Sequence, residues 1–175
     1  MAAKILADAV LRSGRGECLA IPEFGVERRG APVMAYARIA ESHIFLRSRI
    51  YEPDVVVVLD PMLGGDREVL KGLKPGGTLM LNSDLPQSEL SDRWPGPRVI
   101  GVPATKIALA HRLGSPSSPV VNTAMCGALS AVFSLADLPS LEAAVRDAVP
   151  VKRDENAAAA RQAFELFSGK VHAEA

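Results

Sequence analysis

Asp54-Val55-Val56-Val57-Val58-Leu59-Asp60, followed by Lys74-Pro75-Gly76-Gly77-Thr78, decides the fold. The continuous β-branched run from Val55 to Leu59 reads as a strand covered on both faces, because a strand with one wet face alternates apolar and polar residues. The Pro75-Gly76-Gly77 turn feeds a second strand, Thr78 to Leu81, and the stretch between, Asp66 to Leu73, reads as a helix. Together they form a βαβ unit. Arg98-Val99-Ile100-Gly101-Val102 is a third short strand. Pro103 then sits at the first position of a helix running from Ala104 to Arg112, where its missing N–H costs nothing.

Outward from this unit, Ala2 to Leu11 carries Ile5, Leu6, Ala9 and Val10 at helical spacing, with Ser13-Gly14 as its stop. Cys18 to Ile21 and Val33 to Ile39 read as strands, and His43-Ile44-Phe45 as a hairpin partner of the second. Gly114 to Pro119 is a polar, proline-containing loop. A helix follows, capped by Asn122 or Thr123, with an apolar stripe of Met125, Leu129, Val132 and Phe133. Its small residues Ala124, Gly127, Ala128 and Ala131 let another backbone come close. Leu141 to Val149 and Asp154 to Phe167 are further helices. The reading is one α/β domain over residues 1–175, three layers α/β/α, with a largely parallel sheet and a helical C-terminal third.

Composition narrows the function. The 175 residues are 48% apolar, enough for one real core. Lysine plus arginine equals aspartate plus glutamate at 20 each, so no global field favours nucleic acid or an anionic membrane, and any anion site is local. Cys18 and Cys126 lie far apart without C-x-x-C spacing and read as buried reduced thiols; alone they cannot ligate an iron–sulfur cluster, which wants four. No apolar run approaches the ~20 residues of a membrane span, and Met1 leads into an amphipathic helix rather than a signal peptide. A cytoplasmic chain is the expectation.

Candidate chemistry is sparse. Glu27-Arg28-Arg29-Gly30-Ala31-Pro32-Val33 joins two strands and places two guanidinium forks in a turn, with Gly30 freeing φ and Pro32 stiffening the exit. Arg28 and Arg29 suit a phosphate or carboxylate, or else an ion pair with Glu27 or with another subunit. Asp60-Pro61 stands at the carboxyl end of a core strand, where α/β proteins place ligand groups, and reads equally as a helix cap. Asn82-Ser83-Asp84 ends the next strand and can offer hydrogen bonds to a ribose or phosphate. Gly64-Gly65 reads as a turn. Trp94, in a proline-rich loop, marks a partner surface if exposed and a loop anchor if buried. His43, His111 and His172 have no partner at metal-ligand spacing and read as ordinary surface histidines. There is no G-x-S-x-G elbow, phosphate loop or H-E-x-x-H.

Several of these blocks occur together elsewhere. Glu27 to Val33 resembles the E-R-R-G-G-P-V signature of the gamma subunit, or gamma domain, of thiamine-diphosphate-dependent 2-oxoacid:acceptor oxidoreductases of the pyruvate:ferredoxin type. Ala2 to Ala9 resembles that family's first helix, Asp54 to Asp60 its next core strand, and Lys74 to Thr78 the turn into the strand ending in Asn82-Ser83. Val102-Pro103-Ala104-Thr105 resembles its V-P-A-T helix start, and Asn122 to Ala128 its N-x-x-x-x-G-A helix. The resemblance runs over essentially the whole chain, six blocks in one order.

The resemblance implies a gamma subunit of an enzyme that oxidatively decarboxylates a 2-oxoacid with coenzyme A to an acyl-CoA. Thiamine diphosphate, Mg and 4Fe-4S clusters would then belong to alpha, beta and delta-type subunits, and ferredoxin or another acceptor would take the electrons. This chain would assemble with them and contribute to the coenzyme A site through Arg28, Arg29, Gly30, Asn82 and Ser83. Family members usually begin with a strand and a G-x-G-G-Q-G loop just before the first helix, whereas this sequence starts inside that boundary. A start codon assigned too late is the preferred reading, with a strand supplied by another chain or an altered sheet as the others. The alternatives in function are a stand-alone cytoplasmic nucleotide- or coenzyme-binding domain and a purely structural subunit.

Overall fold

A computed structural model describes residues 1–22, 33–65 and 67–171. Three parallel strands form its centre: β3 (Val55–Val58), β4 (Thr78–Asn82) and β5 (Arg98–Val102), in the order β3-β4-β5, with Val55 opposite Thr78 and Thr78 opposite Arg98. Successive side chains leave opposite faces. Val55, Val57, Met80, Ile100 and Val102 therefore join one apolar cluster, and Val56, Val58, Leu79, Leu81 and Val99 another. The first cluster is built with α1 (Ala2–Arg12), α3 (Ala104–Ala110), α4 (Asn122–Val132), α5 (Leu138–Ala148) and α6 (Arg153–Val171). The second is closed by α2 (Gln87–Arg93) and by Trp94. The expected three-layer α/β fold with a helical C-terminal third is what forms.

β4 is buried along its whole length, as a central strand should be. β3 differs: its β-branched run does carry apolar neighbours on both faces, yet three of its four residues stay half-buried, because among the described residues it pairs only with β4. The connection between them departs from expectation. Among the described residues of 61–73 there is no α-helix but two short 3-10 turns, Pro61–Gly65 and Arg67–Leu70. Gly72 ends this stretch with φ +83, and a Cβ there would stand 2.0 Å from the Tyr51 carbonyl oxygen. A helix continued through Gly72 would need negative φ and more room than that approach leaves.

The second departure concerns the hairpin. β1 (Glu17–Pro22) and β2 (Ala35–Ala40) pair antiparallel with each other, Glu17 opposite Ala40. Residues 43–45 are not a strand. Their backbone is taken up instead by a side chain, the Ile44 N–H donating to Glu17 Oε2 at 3.0 Å. Gly114 to Pro119 is a tight two-residue-strand hairpin, β6 (Gly114–Ser115) and β7 (Ser118–Pro119), rather than an irregular loop.

α4 runs through the middle of the helical layer, every residue from Thr123 to Ala131 buried, which suits a helix apolar nearly all round. Neither Asn122 nor Thr123 caps it: Val121 is the N-cap, and Thr123 Oγ1 donates to Asn156 Oδ1 of α6 at 3.1 Å. The small-residue face of α4 is used inside the molecule. A Cβ on Gly127 would meet the Ala160 carbonyl oxygen at 2.1 Å, and α6 brings Ala157, Ala160 and Ala163 to the contact. α5 starts one turn earlier than expected because Asp137 accepts the Ser140 N–H at 2.8 Å and a proline fills its first turn.

Candidate functional site

The carboxyl ends of β3, β4 and β5 open on a cavity of about 580 Å³. This is where an open parallel sheet leaves strand-end carbonyls and loop side chains free to meet a ligand. Val58, Leu81, Leu85, Leu90, Pro61 and Met62 give it apolar walls, and Asp60, Asn82, Ser83, Thr105, Lys106 and Arg93 its polar groups.

Asn82 is 4% exposed and holds the site together. Its Nδ2 donates to the Leu59 carbonyl at 2.9 Å and to Thr105 Oγ1 at 3.0 Å; its Oδ1 accepts the Thr105 N–H at 3.0 Å. One amide thus ties the end of β3, the end of β4 and the start of α3. Ser83 lies beside it, its Oγ accepting the Leu85 N–H at 3.3 Å and keeping its own proton to donate. At the mouth, Lys106 Nζ lies 2.6 Å from Asp84, and this ammonium holds the Asp84 carboxyl below its ordinary value. Asp60 Oδ1 accepts the Met62 N–H at 2.9 Å, so the aspartate caps the turn that follows β3 while also lining the cavity.

Trp94 is 3% exposed, which makes it a loop anchor, and it also lines the cavity. Its Nε1 is buried with no hydrogen-bond partner, a donor that sequence reading had no means of finding. Arg28, Arg29, Gly30 and Pro32 lie outside the described residues, as does His172. His43 Nδ1 pairs with Glu17 Oε1 at 3.0 Å, and His111 Nε2 with Gln162 Oε1 at 2.8 Å. Neither faces the cavity.

The donors among the described residues do not converge on a cluster or a catalytic metal. Burial pushes the Cys18 thiol up to about 11 and the Cys126 thiol up to about 12, away from the thiolate form that a metal needs. Among the described residues no three His, Cys, Asp or Glu side chains converge. No described helix is long and apolar enough to cross a membrane.

Comparison with known proteins agrees with the resemblance in the sequence. A family model for pyruvate ferredoxin/flavodoxin oxidoreductase matches residues 1–166. The chain is 44% identical over 167 residues to the pyruvate/ketoisovalerate oxidoreductases common subunit gamma of Pyrococcus abyssi, covering 94% of this chain and 88% of that one. Its fold is similar to the crystal structure of a pyruvate oxidoreductase subunit from Thermotoga maritima, with TM-score 0.74, 30% identity, and 94% and 86% of the two chains covered. It is similar in fold to part of a 2-oxoglutarate:ferredoxin oxidoreductase from Magnetococcus marinus, TM-score 0.65 at 19% identity, over 98% of this chain and 28% of that one.

Proposed function

Because this chain belongs to the pyruvate ferredoxin/flavodoxin oxidoreductase family, as a gamma subunit of a 2-oxoacid oxidoreductase complex, we propose that it is a non-chemical component that completes the coenzyme A site. The match over nearly the whole chain carries this reading. Thiamine diphosphate with Mg supplies the decarboxylation when bound, and 4Fe-4S clusters carry the electrons; alpha, beta and delta-type subunits hold them, and ferredoxin or another acceptor receives the electrons. The chain's own thiols are protonated and scattered, so its contribution is binding and shape. It acts as one domain over residues 1–175, in the cytoplasm.

Two parts of the chain serve coenzyme A in this proposal. The cavity at the strand ends receives a nucleotide end: Ser83 and Asp60 meet ribose hydroxyls, and Lys106 with Arg93 meets phosphate, while Asn82 fixes the cavity's outline. Arg28 and Arg29, in the turn set by Gly30 and Pro32, add positive charge toward the same anion or toward carboxylates of the alpha subunit. Arg28→Ala with Arg29→Ala should raise the KM for coenzyme A or weaken assembly; if both stay unchanged, this role for the arginines is wrong. Trp94 is the chain's one tryptophan and lines the cavity. Coenzyme A titrated into the purified complex should therefore change selective Trp94 emission, compared with a Trp94→Phe complex, in a saturable way that Lys106→Ala weakens. No saturable Trp94-dependent change at millimolar coenzyme A would remove the cavity from the proposal.

A further inference from the structure

Residues 41–54 join β2 to β3 with neither helix nor strand, a connection of the length that in compact domains usually carries binding. It is tied down at both ends. Glu17 takes the Ile44 N–H and the His43 ring, and Ile44 is buried beneath them. Further on, the Arg49 guanidinium carbon lies 5.6 Å from the Tyr36 ring centre and 5.7 Å from that of Tyr51. At the exit the Tyr51 carbonyl is pressed against Gly72, and the Lys74 N–H donates to the Pro53 carbonyl at 3.1 Å.

A loop so tied nevertheless turns apolar side chains outward. Phe45 is 83% exposed, Tyr51 73% and Leu46 63%, with Met34 beside Tyr36 also open to solvent. Added together these four expose on the order of 500 Å², over half of the about 800 Å² one partner gives to a standard interface. Aromatics and arginine are also the residues that dominate binding energy at interface centres. Arg38 shares the β2 face of Tyr36, two residues on, and its Nε is buried with no hydrogen-bond partner.

We propose that this loop, with the adjoining flank of β2, is the surface through which the chain seats on a large catalytic subunit of its complex. The proposal rests on the subunit reading above. The partner's face is apolar at its centre and brings a carboxylate or carbonyl to Arg38. A second copy of this chain fits less well, because a two-fold contact would bring the same arginine-bearing face against itself.

The test uses the tagged full-length chain expressed in its native host, with co-purifying large subunits quantified by mass spectrometry. The variant Phe45→Ser, Leu46→Ser, Tyr51→Ser should lose at least about tenfold of them, since a few central anchors carry most of the energy of an interface. Val151→Ser with Leu166→Ser, exposed apolar residues elsewhere, should lose none. Thermal melting of each isolated chain checks folding; if the triple variant melts early, Leu46→Lys alone replaces it and should show the same loss. Equal retention by the loop variant and wild type, or equal loss by both variants, overturns the proposal. So does a wild-type dimer that the loop variant dissolves while the large subunits still co-purify. A wild-type chain that brings no large subunit overturns the subunit reading itself, and this one with it.

Discussion

Asn82 has both ends of its amide occupied by groups 23 residues away on either side, Leu59 and Thr105. Replacing it by leucine leaves the Leu59 carbonyl and the Thr105 N–H without their partner, which costs about 1–3 kcal/mol for each group kept from water. Urea unfolding should show Asn82→Leu less stable by about 2–5 kcal/mol; a loss under 1 kcal/mol would mean that water substitutes freely. The sequence marked Asn82 from its position at a strand end as a group for a ribose or phosphate; its internal partners, so distant in the chain, are invisible until the sheet is assembled. Asp137 was not singled out at all, although aspartate before leucine and proline is a start signal. Its bond to Ser140 holds its carboxyl below the ordinary 3.8. The stabilisation is therefore complete above that value and fades as pH falls through it and through the lowered one. Asp137→Ala should cost about 1 kcal/mol at pH 6, and the difference from wild type should shrink at pH 2.5, read as the change in urea midpoint.

Among the elements, α4 and α6 set the tightest constraint. Gly127→Ala forces the two helices apart against the Ala160 backbone, so a loss of about 1–3 kcal/mol or more is expected. Gly169→Ala, on α6 with nothing within 4 Å of its new methyl, should instead gain a few tenths to about 1 kcal/mol. Thermal melts of the two variants check the contrast; two changes of the same sign would contradict it. The small-residue pattern of α4 was legible, but not which backbone would fill it, since a partner helix of this chain and one from another subunit leave the same signature. The helix expected over residues 66–73 failed for a comparable reason: its apolar spacing suits a helix, while Tyr51, from a distant loop, occupies the space above Gly72. The strand expected at residues 43–45 was likewise displaced by one carboxylate, Glu17, whose reach across the hairpin no local pattern announces.

At the scale of the molecule, the valine run and the Pro-Gly-Gly turn were enough for a parallel sheet with apolar layers on both faces, because a continuous β-branched run without polar alternation has to be covered on both sides. The strand-end cavity followed from that topology, and its unpartnered Trp94 donor did not. Among its described residues the molecule offers two surfaces: a cavity at one end of the sheet and an exposed apolar loop beside the hairpin. The account therefore stands on the chain being one part of a larger enzyme. The most direct measurement is affinity purification of the chain from its native host at endogenous level, with mass spectrometry and a visible absorption spectrum of the eluate. Co-elution with large thiamine-diphosphate and iron–sulfur subunits in a brown sample is the predicted result, and a colourless eluate containing this chain alone would contradict it.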